Sequence, residues 1–335
     1  MPGSGDGLTA GGGDVVVETA SVFKNLELIG LGMLDGETFF QTVAPIRARF
    51  RPDPRVRVEL GAVARVDYGA DSGWGGADAL LRVVVNPTPS TAVVAGTLLP
   101  THPAHQALRD DTVKLRDLSE QGFQFRMDTP RLQGDHPINW RVDKGAVRAE
   151  EFEVGTVSRV RAADGRIHPD AQAAWTHAGG QILSSRRVDN FAGLLGASVG
   201  LGGGGGPREG ILQDLRVGGA ALVSAASSKD GPSTGGSGWE VGVGSELRLG
   251  RATRLFLDAR HFSGDGYAAE RADPLYRFGS YRQAGADVVW SVAPGAALEF
   301  GAVAQDTGNR LNWTAQFNLT TRTRMFGDAL REILK

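Results

Sequence analysis

The sequence predicts an all-β chain closed into a single antiparallel transmembrane barrel of about 16 strands, within a range of roughly 14 to 18. Three observations predict it. Apolar and polar residues alternate with a period of two along almost the whole chain, helical spacing is confined to the last dozen residues, and short links alternate with long ones.

The alternation is plainest over residues 56–68. Val56, Val58, Leu60, Ala62, Ala64, Val66 and Tyr68 fall on one face, and Arg57, Glu59, Gly61, Val63, Arg65 and Asp67 on the other. The charged face needs water, and a strand this long suits a membrane, where a tilted strand takes about 9 to 11 residues to cross. The same rule sets Trp239, Val241, Val243, Leu247 and Leu249 against Glu240, Gly242, Gly244, Glu246 and Arg248. It also sets Leu311, Trp313, Ala315, Phe317 and Leu319 against Asn312, Thr314, Gln316 and Asn318.

In order, strands are expected at 25–34, 37–50, 55–68, 76–86, 91–99, 120–128, 136–143, 151–161, 166–182, 190–201, 211–225, 238–249, 253–262, 280–292, 296–305 and 310–320. Links after even-numbered strands are tight and rich in Pro, Gly and Asp, as at 51, 86, 161, 250 and 293. Links after odd-numbered strands include every long one: 69–75, 100–119, 225–238 and 263–279. Short periplasmic turns and longer extracellular loops produce this sorting, which places Lys229 and Arg271 outside the cell.

Of the 335 residues 48 are glycine and none is cysteine, and the formal charge of −2 gives no electrostatic footprint for nucleic acid. A chain without cysteine suits passage through an oxidising periplasm. Mean hydropathy is −0.18 and no window holds the 18 or more apolar residues of a membrane helix. The expected division is a flexible Gly-rich tail at 1–20, the barrel at 21–322, and a short amphipathic helix at 323–335 spaced by Met325, Phe326, Ala329, Leu330, Ile333 and Leu334. The first residues carry no basic and apolar leader, so a signal peptide is taken to have been removed before a bacterial outer-membrane location.

In architecture the chain resembles the porin-like outer-membrane barrels. That resemblance implies that the link after the fifth strand folds into the lumen and sets acidic groups across from arginines on early strands. The corresponding link carries Asp110, Asp111, Asp117 and Glu120, and the early strands carry Arg47, Arg49, Arg57, Arg65 and Arg82 on the lumen face. These nine residues are the expected constriction, with pairing of the arginines to neighbouring Glu59 and Asp67 as the plainer alternative.

His102 and His105 have a metal-like spacing, but Pro103 intervenes and no third ligand is placed, so they are expected to be loop histidines in water, with no metal and no cofactor. Gly202 to Gly206 lack the Lys-Ser/Thr pair of a phosphate loop and read as a turn. No Ser/His/Asp or paired-carboxylate spacing stands out, so no catalytic residue is assigned and the chain is expected not to be an enzyme. The expected function is passive diffusion of small hydrophilic solutes or ions. The alternatives are an export barrel for polysaccharide or protein, a closed structural barrel, and a soluble carbohydrate-binding β-protein. Expected partners are outer-membrane lipid and lipopolysaccharide, a second copy of the chain, or a periplasmic or outer-membrane protein.

Overall fold

In a computed structural model the chain forms a closed barrel of 16 antiparallel strands, each paired with its neighbours in sequence and the first with the last. The structure describes residues 10–27, 37–69, 73–100, 102–110, 119–142, 150–179, 187–201, 211–228, 231–308 and 311–326. The strands are β1 (Gly13–Glu27), β2 (Glu37–Asp53), β3 (Val56–Tyr68), β4 (Trp74–Val85), β5 (Thr91–Thr97), β6 (Gln121–Asp128), β7 (Leu132–Val142) and β8 (Glu151–Val160). They continue as β9 (Ile167–Ala178), β10 (Val188–Gly200), β11 (Leu212–Ser228), β12 (Gly231–Arg248), β13 (Thr253–Asp265), β14 (Ser280–Ala293), β15 (Ala296–Asp306) and β16 (Leu311–Phe326). Closure leaves no strand edge, which is the condition for a sheet to cross lipid with every backbone group paired.

The two faces divide as the alternation dictates. On β3, Leu60 is 56% exposed on the outer wall while Glu59, its chain neighbour, is 2% exposed inside. Register keeps the division across strands: Leu60 lies opposite Ala48 and Leu81, and Glu59 opposite Arg49 and Arg82. Phe23, Phe40, Tyr68, Trp74, Trp140, Trp175, Phe191, Trp239 and Trp313 stand exposed toward the extracellular ends of their strands. Tyr and Trp prefer that depth because one end of the ring is apolar and the other can stay wet.

Three boundaries differ from the sequence expectation. β1 enters the barrel at Gly13, inside the segment expected to be a tail, and the strand expected at 25–34 is the end of β1 followed by residues outside the described set. Buried Val16 and Val22 explain the miss, since they put apolar groups on the lumen face and blur the period. β11 and β12 run on as a paired ribbon to Ser228 and Gly231, so the supposed loop at 225–238 is mostly strand. β16 extends to Phe326, past the start of the expected C-terminal helix, the rest of which lies outside the described residues, as do Gly202 to Gly206.

Candidate functional sites of the lumen and the outer wall

Sixteen strands enclose more space than wall side chains fill. Two extracellular links enter it: L3 after β5, of which residues 98–100, 102–110 and 119–120 are described, and L7, residues 266–279 after β13. They bind each other through backbone, Asp110 N–H to the Arg271 carbonyl at 2.7 Å and Asp273 N–H to the Gln106 carbonyl at 3.0 Å, and the Tyr267 hydroxyl donates to the Ala107 carbonyl at 2.6 Å. Their apolar side chains, Leu108 from L3 and Tyr267, Leu275 and Tyr276 from L7, pack on inward-facing Leu194, Leu222, Phe262 and Tyr281. A plug with its own apolar core therefore occupies the lumen. Arg271 is 7% exposed within it, which corrects its expected place in an exposed loop.

The L3 side is locked by charge. His102 Nδ1 lies 2.9 Å from Asp135 Oδ2, and its Nε2 lies 3.0 Å from Glu120 Oε2. Glu120 Oε1 also accepts from Arg109 at 2.5 Å and from Asn139 Nδ2 at 2.8 Å. Burial alone would lower the pKa of His102, but hydrogen bonds to Asp135 and Glu120 outweigh it and raise the value. The expectation of a histidine in water is thus corrected: two carboxylates clamp a buried imidazolium. His105 accepts from Ala107 N–H at Nδ1, 3.2 Å, which fixes Nε2 as the donor to Glu240, 3.1 Å away.

The expected constriction residues divide into separate groups. Glu59 gathers Arg57 at 2.7 Å, Arg82 at 2.9 Å and Arg47 at 3.2 Å, and Arg47 also reaches Glu18 at 2.6 Å. Arg49 grips Asp14 with both ends of its fork, at 2.8 and 2.5 Å. Arg65 lies higher on β3, its Nη2 donating to the Gly75 carbonyl at 3.4 Å. Arg47, Arg49, Arg57 and Arg82 thus have strand carboxylates beside them, while Glu120 pairs within L3, Asp110 lines a lumen cavity, and Asp111 and Asp117 lie outside the described residues.

A second polar site lies on the outer wall, where the alternation calls for apolar groups. His177 of β9 and Asp189 of β10 are opposite in register, and His177 Nδ1 is 2.6 Å from Asp189 Oδ1. Nε2 of the same ring is 2.6 Å from the Gly179 carbonyl, so both nitrogens lie within hydrogen-bond distance of an acceptor. Arg187 Nε donates to the other Asp189 oxygen at 2.8 Å. Phe152 and Trp175 flank the imidazole, with ring centroids 5.0 and 5.9 Å away. The site is thus a His–Asp pair at the extracellular edge of the lipid-facing surface. Linear spacing hid it, because the partners meet only through the β9/β10 register; two ionisable residues on an apolar-face parity were the available signal.

The family model described as lipid A 3'-O-deacylase-type matches residues 12–322. The chain belongs to that family. The expectation that the protein is not an enzyme is thereby overturned, since the family of this lipid A 3'-O-deacylase-type barrel is one of enzymes. No curated protein matches the chain. Among solved structures, a loop L8 deletion mutant of the outer-membrane protein OmpT of Vibrio cholerae is 11% identical with a TM-score of 0.57, covering 93% of this chain and 100% of that one. In-vitro folded OmpT of the same organism, in a trimer form, is 10% identical with a TM-score of 0.57, covering 94% and 100%. These likenesses establish the fold: the lipid A 3'-O-deacylase-type chain is a bacterial outer-membrane barrel.

Proposed function

We propose that this barrel is an outer-membrane ester hydrolase that removes an acyl chain from lipid A, with the outward His177–Asp189 pair as its acid–base group. The observation that carries the reading is the position of that pair, beside Trp175 and Phe152 at the extracellular end of β9, where acyl esters meet the headgroups. Asp189 orients the ring through Nδ1, leaving Nε2 as the nitrogen that exchanges protons. With Nε2 unprotonated and turned from the Gly179 carbonyl, it takes a proton from water as the water oxygen attacks the acyl carbon. The bond from the acyl carbon to the sugar oxygen then breaks, Nε2–H returns the proton to that oxygen, and a free fatty acid and a hydroxyl remain. Arg187, whose side chain is 58% exposed, offers a cation to the oxyanion or to a neighbouring lipid phosphate.

The test is mass spectrometry of lipid A in mixed micelles with the purified barrel. Acyl release is expected from the native protein and a fall of about 10²- to 10⁴-fold from His177→Gln, with a smaller fall from Asp189→Asn. Full release by His177→Gln would remove the pair from the reaction, and no release by the native protein would end the hydrolase reading.

A second reading, passage of small hydrophilic solutes, is favoured by two lumen cavities of 390 and 520 Å³ that share Gln106, Asp258 and Arg260. Bilayer conductance tests it: neutralising Arg47, Arg49 and Arg65 together should lower anion relative to cation permeability, most at low salt. Absence of conductance would leave a closed barrel.

A further inference from the structure

We propose that the 390 Å³ lumen cavity against β13–β16 binds an organic ammonium compound of the polyamine or amino-sugar class. The site is independent of the outer-wall chemistry. Five carboxylates line it, Asp110 from L3, Asp273 from L7, and Asp258, Asp287 and Glu299 from the wall, against two bases, Lys24 and Arg260. The cavity is therefore a local minimum of potential for a cation.

The wall is shaped for these acids. Asp258 lies opposite Gly285 and Asp287 opposite Gly301, and a Cβ on either glycine would collide with the carboxylate oxygen of its partner. The missing side chains thus let both carboxylates lie across the neighbouring strand, facing the cavity. A second observation points to a ligand with N–H donors. Gln305 is 4% exposed, lines the cavity, and its Oε1 has no hydrogen-bond partner. Its Nε2 points instead to Gln283 Oε1 at 3.5 Å. A buried amide oxygen without a donor costs about 1 to 3 kcal/mol, and an ammonium supplies the donor and the charge together.

A bare metal ion fits less well. Among the described residues no three His, Asp or Glu converge at metal-binding distance, and the acids are instead strung along the wall from Asp110 to Glu299. A cation with several charges along a chain or ring matches that spread. Asp273 adds a pH dependence. Burial, then the charge of Asp110, pushes its pKa up to about 6, opposed by its Leu275 N–H bond and by Lys24 and Arg260. Cation affinity should accordingly drop as pH falls through about 6 and one carboxylate is lost.

Calorimetry of the purified full-length barrel with spermidine tests the site. Saturable binding is expected at neutral pH, weaker at pH 5, and weakened by about tenfold or more in Asp287→Asn and in Glu299→Gln. Gln305→Leu should weaken it, and Lys24→Gln, which removes a competing cation, should tighten it. The gain in Lys24→Gln separates loss of a ligand contact from loss of folding. Binding unchanged across these variants, magnesium ion binding equal to that of spermidine, or no saturable binding would each overturn the proposal.

Discussion

His102 of L3 and Asp135 of β7 hold each other across the lumen at 2.9 Å, with side chains 3% and 1% exposed. Glu120 approaches the other ring nitrogen to 3.0 Å, so His102 lies between two buried carboxylates, of which Glu120 also holds Arg109. The pair joins the most mobile kind of element, a long link, to the most rigid, a barrel wall.

The pH window follows from the two shifts. His102 is raised from its usual 6.5, so its contribution is complete below that pH and is lost as pH rises through the folded value. Glu120 is lowered from its usual 4.5: burial opposes ionisation, but His102 and Arg109 outweigh it, so its contribution is complete above 4.5 and is lost as pH falls through the folded value. L3 should be held most firmly between about 4.5 and 6.5. Hydrogen-exchange protection at residues 102–110, taken relative to the unstructured rate at each pH, should fall above that window, and His102→Gln should abolish that fall. His102→Ala, which removes the cation between Asp135 and Glu120 but leaves them Gln124 and Arg109, should loosen L3 by about 1 to 3 kcal/mol. Protection in the native protein that stays constant through that pH range would show that the apolar core alone seats L3.

Glu59 is the anion shared by Arg47, Arg57 and Arg82, at 2% side-chain exposure. Glu59→Ala leaves three guanidinium groups crowded around an empty centre, and the expected cost is about 3 to 5 kcal/mol in urea-driven unfolding from lipid. Glu59→Gln keeps the shape and should cost less. A stability change within about half a kcal/mol for Glu59→Ala would mean that water already screens this wall.

Leu60 and Val243 are 56% and 43% exposed on the outer wall. An arginine at either position should cost about 2 to 4 kcal/mol if it lies near the bilayer midplane, measured by equilibrium refolding into vesicles. Gln316→Leu, on the lumen side, should be milder. Tolerance of Val243→Arg together with failure of Gln316→Leu would reverse the two faces.

The sequence by itself determined the closed barrel, a strand number of about 16 and the two faces of the strands it placed, because period-two alternation and link length are local properties that survive without knowledge of partners. It read β3 and the tight turns closely. It missed β1 and the β11/β12 ribbon, where Val16 and Val22 face inward and where Gly and Ser carry no apolar signal. Tertiary structure alone decided the sites. L3 and L7 fold inward because a closed barrel of this width leaves a void that their apolar residues can fill, and that void exists only once the last strand meets the first. Register then chose the wall partners, Glu59 for its arginines and His177 for Asp189, and the inward fold of L3 brought His102 to Asp135. Charges can be counted along a chain, but which ones meet is fixed by strands that pair at a distance in sequence, and that pairing is a property of the closed sheet.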